Sequence, residues 1–188
     1  MKKIVILASG SGTNAENIVR YFEESDLARV VSIITNNAKA GVIDKARKLG
    51  VQSIVLSNRE VEDGALQAKL QSLRCDLVVL AGFLRKIPEE LTQAFENRII
   101  NIHPALLPDY GGPGMYGKHV HQAVVENEEE VSGITIHYVN ENYDEGEIIF
   151  QEEVEIDFED TWEDVEYKVR ELEYRHYPSV IEYLLPNL

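Results

Sequence analysis

The first hundred residues alternate between short apolar runs and helix-like segments, and this alternation constrains the fold more than any other feature of the chain. "KIVILA" (3–8), "RVVSIITN" (29–36), "VQSIVL" (51–56), "DLVVLAGF" (76–83) and "RIINIH" (98–103) read as buried strands. "NAENIVRYFEE" (14–24), "GVIDKARKLG" (41–50), "EDGALQAKLQSLR" (62–74) and "PEELTQAF" (88–95) read as the helices between them. In the first helix Ala15, Ile18, Val19 and Phe22 recur on helical spacing. Such β-α repetition predicts an α/β fold with a Rossmann-like, mostly parallel sheet flanked by helices.

The second half changes pattern. "HVHQAVVEN" (119–127) reads as a helix, although two imidazoles two apart suit a strand. "SGITIHYV" (132–139) and "EIIFQEEVEI" (147–156) read as an antiparallel strand pair. A long C-terminal helix is expected within 160–185. Thr161 and Asp164 have the spacing of a capping box, Val165, Val169, Leu172, Ile181 and Leu184 form an apolar stripe, and Pro178 is expected to kink it.

Composition excludes several classes. The net charge is −15, from 33 acidic against 18 basic residues, which argues against a nucleic-acid partner. The single cysteine, Cys75, precludes an internal disulfide and precedes an apolar run, as a core thiol does. Met1-Lys2-Lys3 leads into an apolar run too short for a signal peptide or a membrane span. The expectation is a cytoplasmic protein with no membrane partner.

Three constellations carry chemistry. "ASGSGTNAEN" (8–17) joins the first strand to the first helix. Gly10 and Gly12 permit a tight turn, and Ser11, Thr13 and Asn14 offer hydrogen bonds at a helix N-terminus, an anion site suited to phosphate. A plain tight βα turn has the same composition. The loop lacks the Gly-Lys-Ser/Thr ending of a P-loop. It fits G-x-G-x-x-A through Gly10, Gly12 and Ala15, but the second strand ends in Thr35-Asn36-Asn37, without the acid that holds a dinucleotide ribose. A mononucleotide or sugar phosphate is therefore favoured over NAD.

Asn101 and His103 lie two apart at a strand end, so they project together where open α/β sheets bind ligands. An amide and an imidazolium can stabilise an oxyanion at an attacked carbonyl, and the imidazole can move protons; a histidine satisfied by backbone is the alternative. Asp144, in "NENYDEGEII" (140–149), would orient that ring, or serve as an ordinary turn residue. His119, His121 and His137 invite a metal reading, but no cysteine lies near and no H-E-x-x-H spacing occurs, so no metal is expected.

Taken in order, "ILASGSGTN", "DLVVLAGFLRKIP", "IINIHPALLP", "GITIHYVNENYDEG" and "ELEYRHYP" resemble the formyltransferase superfamily over nearly the whole chain. Within it, "GSGTN" resembles the phosphoribosylglycinamide formyltransferase branch. The resemblance implies a single formyltransferase domain over 1–188, with a nucleotide-phosphate half at about 1–100 and a folate and catalytic half at about 80–188. It implies transfer of the formyl group of 10-formyltetrahydrofolate, as co-substrate, to the primary amine of glycinamide ribonucleotide in purine synthesis. Asn101, His103 and Asp144 match the catalytic trio. Ser11, Gly12, Thr13, Asn14 and Glu173 match the ribonucleotide site. Leu84, Arg85, Lys86 and Ile87, with Asn101 and the loop from Asn140 to Asp144, match the folate site. Partners are then small molecules, in a monomer or homodimer.

Three stretches depart from the family pattern. "PDYGGPGMYGKHVH" (108–121) is longer and richer in glycine, the usual Asp-Gly-Gly reads Asp144-Glu145-Gly146, and Arg59 is the one candidate to steer a folate glutamate tail. Rival readings are a sugar-nucleotide N-formyltransferase, a formyltetrahydrofolate hydrolase, an initiator-tRNA formyltransferase (disfavoured by acidity and length), and a non-catalytic nucleotide- or folate-binding module.

Overall fold

The computed structural model describes residues 1–188. Seven strands form one sheet in the order β3-β2-β1-β4-β5-β6-β7. β1 (Lys2–Leu7), β2 (Ala28–Thr35), β3 (Gln52–Val55), β4 (Leu77–Leu80) and β5 (Ile99–His103) run parallel. β6 (Val131–Tyr138) and β7 (Ile148–Glu155) add an antiparallel pair at the β5 edge.

The centre of the sheet is buried on both faces because β4 is apolar throughout and β1 is apolar from Ile4 to Leu7. From β1, Ile4 and Ile6 enter one core while Val5 and Leu7 enter the other. The first core packs under α1 (Thr13–Tyr21), α2 (Val42–Lys48), α6 (Lys118–Glu126) and α7 (Trp162–Leu184). The second packs under α3 (Asn58–Glu62), α4 (Ala65–Ser72) and α5 (Glu89–Ala94). A two-sided apolar sheet needs this helix cover.

One expectation about helices changes, and the helix read over 119–127 holds. The helix anticipated over 62–74 begins only at Ala65, after Gly64 at φ 88°, and a separate short helix, α3, ends at Glu62 before the break. "HVH" lies on helix α6, with His119 exposed and His121 buried, so the two imidazoles diverge. α7 opens on the Thr161–Asp164 capping box and buries the expected stripe. It continues through Pro178, which has no N–H for the Tyr174 carbonyl. Asn17 Nδ2 donates to that carbonyl instead, at 2.9 Å, fixing α7 to α1. The buried Tyr177 hydroxyl donates to the Leu80 carbonyl at 2.8 Å, clamping α7 beneath the end of β4. Cys75 is buried, and burial pushes its thiol up to about 12. No helix is long and apolar enough to cross a membrane.

Candidate active site

The strand order reverses direction of growth between β1 and β4, and a crevice opens at the C-terminal ends of such strands. There the loops after β1, β4 and β5 meet the β6–β7 loop and one face of α7, enclosing a cleft of about 450 Å³. That volume suits a small-molecule site. The residues matched to the catalytic trio, the ribonucleotide site and the folate site line this one cleft: Ser11, Gly12, Thr13, Asn14 and Glu173; Leu84, Arg85, Lys86, Ile87 and Asn140; Asn101, His103 and Asp144.

The glycine-rich loop turns at Gly12, whose φ of 74° is left-handed, and α1 starts at Thr13. The approach is close: Gly12 lies against Val42 at the start of α2, with no room for a side chain. Asn14 Nδ2 donates to Glu173 Oε2 at 2.8 Å, joining the α1 terminus to α7. Burial raises the Glu173 carboxyl to about 7, against the opposing effects of Asn14 and Arg170. At the end of β2, Asn36 Oδ1 accepts from Ser9 Oγ at 2.6 Å and its Nδ2 donates to Asn58 at 2.9 Å. The position where a dinucleotide fold holds a ribose is thus occupied by a side-chain network.

On the other flank, Ile87 is buried while Leu84, Arg85 and Lys86 are exposed. Arg85 pairs with Glu62 at 2.9 Å. Arg59 lies outside the cleft lining and pairs with Asp63 at 3.0 Å.

Between the flanks lies the polar centre. Antiparallel register places His137 of β6 beside Asn101 of β5. His137 Nδ1 lies 2.8 Å from the Tyr138 carbonyl, so that nitrogen carries the proton and donates. Its Nε2 therefore accepts from Asn101 Nδ2 at 3.2 Å. This fixes the amide orientation and leaves the second N–H of Asn101 free. His103 Nε2 donates to the Tyr110 carbonyl at 2.7 Å, and its Nδ1 faces Asp144 Oδ2 at 3.6 Å. His137 Nε2 is 3.7 Å from Asp144 Oδ1, beyond hydrogen-bond length.

Asp144 reaches this position through a strained turn. Its own φ is 55°, and at Gly146 a Cβ would fall 1.7 Å from the Tyr138 carbonyl oxygen, so glycine alone fits there. Gly112 N–H donates to Asp144 Oδ2 at 3.0 Å. Burial works to raise this carboxyl, but the Gly112 N–H it accepts works against burial, as does any positive charge on the facing His137 or His103 ring, and the carboxyl is held below its ordinary value. Burial lowers His103, and the nearby Asp144 charge and Tyr110 carbonyl only partly offset it.

Several cleft residues have no counterpart in the sequence reading of the site. His137 enters it there only as a metal candidate, and no group of three or more His, Cys, Asp or Glu is placed to hold a metal ion. His121, also read there only as a metal candidate, lines the cleft with Glu166 and Arg170, and so does 112–117, part of the glycine-rich 108–121 stretch that the resemblance sets beside the site. Glu166 and Arg170 are signalled by their helical spacing from Glu173. The strand register that brings in His137 leaves no such mark.

The sheet order, the crevice and its polar centre define a formyl transferase: the pattern of the family described by that name matches residues 2–181, and the chain belongs to it. Within the family it is 40% identical over 191 residues to phosphoribosylglycinamide formyltransferase of Bacillus subtilis, covering 98% of this chain and 95% of that protein. It is 40% identical over 187 residues to the chloroplastic phosphoribosylglycinamide formyltransferase of Arabidopsis thaliana, covering 96% of this chain; the chain spans 64% of that relative's length. The crystal structure of glycinamide ribonucleotide transformylase 1 from Symbiobacterium toebii superposes with a TM-score of 0.91 at 35% identity, over 100% of this chain and 89% of that one.

Proposed function

We propose that this protein transfers the formyl group of 10-formyltetrahydrofolate to the primary amine of glycinamide ribonucleotide, a step of purine biosynthesis. One observation carries the reading: Asn101, His103 and Asp144 lie in a single cleft between a glycine-rich helix N-terminus and the strip of residues 84–87. The first flank suits the ribonucleotide phosphate, through backbone N–H groups of Ser11 to Asn14. Glu173, bonded to Asn14, faces the ribose and glycinamide portion. The second flank suits a pterin, with Ile87 as apolar wall and Leu84, Arg85 and Lys86 at its rim.

In the transfer, the amine nitrogen bonds to the formyl carbon, the bond from that carbon to the folate nitrogen breaks, and one proton passes from the amine to the folate nitrogen. The free N–H of Asn101 donates to the oxygen that gains charge at the attacked carbon. His137 acts through Asn101 by holding the amide in the donating orientation. His103 moves the proton. Burial keeps its ring neutral in the free protein, so the imidazolium forms during the reaction, with the ionised Asp144 3.6 Å away to stabilise it. Binding both substrates in one cleft supplies proximity.

The test is to follow loss of 10-formyltetrahydrofolate with and without glycinamide ribonucleotide. Acceptor-dependent loss with formylated ribonucleotide as product is expected. Equal loss without acceptor, releasing formate, would make the protein a hydrolase.

A further inference from the structure

Three buried side-chain atoms meet no hydrogen-bond partner: Asn14 Oδ1, His121 Nδ1 and Ser132 Oγ. Buried polar atoms are almost always paired in folded proteins, so each exception calls for a physical reason. Two of the three belong to residues that line the cleft, Asn14 and His121. Asn14 belongs to the ribonucleotide site already described. His121 has no role in the mechanism above, yet it is only 3% exposed and sits in the first turns of α6.

Its surroundings locate it within the cleft. His121 lines the same cleft as His103, Arg170 and Glu173. Burial above all, with the Arg170 charge adding to it, lowers its pKa to about 4, and the ring is neutral at neutral pH. A neutral imidazole offers one donor and one acceptor. It attracts a phosphate dianion little, but it matches an amide, which also offers one of each. In a ribonucleotide whose phosphate sits at the α1 terminus and whose amine meets His103, the amide of the glycinamide lies between the two.

We propose that His121 is a substrate-binding residue whose Nδ1 hydrogen-bonds the glycinamide amide of the bound ribonucleotide, holding the amine toward His103. The proposal rests on the formyl-transfer reading and deepens it. It also explains the orphaned atom: the ligand-free fold leaves Nδ1 unpartnered, and the substrate pairs it.

The inference predicts opposite signs for two measurements. His121→Phe keeps a ring of similar size and removes the unpaired nitrogen. The melting temperature of the ligand-free variant is expected to equal or exceed that of the wild type. Its Kd for glycinamide ribonucleotide, by calorimetry, is expected to rise about tenfold, the range of one hydrogen bond, with the Kd for the folate within twofold. His121→Asn places an amide near the original Nδ1 and is expected to restore the ribonucleotide Kd to within threefold.

A lower melting temperature with unchanged ribonucleotide affinity would make His121 a packing residue and overturn the proposal. Equal losses for both ligands, or no difference between the Phe and Asn variants in ribonucleotide affinity, would overturn it too. Should the wild type itself fail to bind glycinamide ribonucleotide, the functional reading fails; wild-type binding matched by His121→Phe refutes the His121 assignment alone.

Discussion

Gly12→Ala perturbs the fold and the ribonucleotide site at one atom. The residue sits at φ 74°, where a Cβ costs about 1–2 kcal/mol. The added Cβ would also lie 2.3 Å from Val42 Cγ2, 2.5 Å from Val42 Cβ and 2.9 Å from Val42 Cα. The valine side chain can rotate Cγ2 away, but Cβ and Cα move only with the backbone, so the loop and α2 must separate. Overpacking of this kind costs about 1–3 kcal/mol. The sum, about 3 kcal/mol, corresponds to a fall of roughly 6–12 °C in melting temperature for a chain of this size. Because the displaced segment carries the Thr13 and Asn14 N–H groups, the ribonucleotide Kd should rise at least about tenfold, with the folate Kd within about twofold. Gly10→Ala is the control: a Cβ there meets nothing within 4 Å, and a change below about 0.5 kcal/mol is expected. Val42→Ala added to Gly12→Ala removes Cγ2 but leaves Cβ, and should restore only part of the loss. Thermal and urea unfolding with ligand titration read all three. Indistinguishable behaviour of Gly12→Ala and Gly10→Ala would refute the close-packing argument.

Asp144→Asn removes a charge 3.6 Å from His103 Nδ1, worth about 5 kcal/mol to the imidazolium at an effective dielectric constant of ~20. Stopped-flow kcat is expected to fall roughly a thousandfold with both Kd values within about threefold, whereas parallel losses in kcat and affinity would make Asp144 structural. Stability against pH should carry two opposed slopes. His121, near 4 when folded against 6.5 unfolded, lowers stability by about 3 kcal/mol as pH falls through that window, because the unfolded chain takes the proton first. Glu173, near 7 when folded against 4.5 unfolded, lowers it by about 3 kcal/mol as pH rises from 4.5 to 7, because there the folded state holds the proton. Urea titrations between pH 4.5 and 6.5 should find His121→Phe losing stability relative to the wild type as pH rises, and Glu173→Gln losing it relative to the wild type as pH falls; identical profiles would refute the two assignments.

The parallel part of the fold is legible in the sequence because strands buried on both faces read as unbroken apolar runs, as "KIVILA" does. The Asn101–His103 pair is legible because strand periodicity puts residues two apart on one side, whatever the partner strand. His137 is different: it joins the site through antiparallel register, and alternation in "SGITIHYV" specifies faces without saying which neighbour lies opposite. The break at Gly64 hides because Asp63 and Gly64 interrupt an otherwise continuous helical pattern for too few residues. The 108–117 segment, where Tyr110 offers its carbonyl to His103 and Gly112 its N–H to Asp144, depends on backbone groups, which side-chain identity does not reveal.

Single-turnover transfer by the wild type and His103→Ala, both saturated with 10-formyltetrahydrofolate and glycinamide ribonucleotide, reads out both the reaction and the residue that moves its proton. The wild type is expected to give one formylated ribonucleotide per tetrahydrofolate released. The variant is expected to be slower by about a thousandfold or more, with both ligands still bound. Transfer at an undiminished rate in His103→Ala would contradict the role of His103, and formate released in place of formylated ribonucleotide would contradict the reaction.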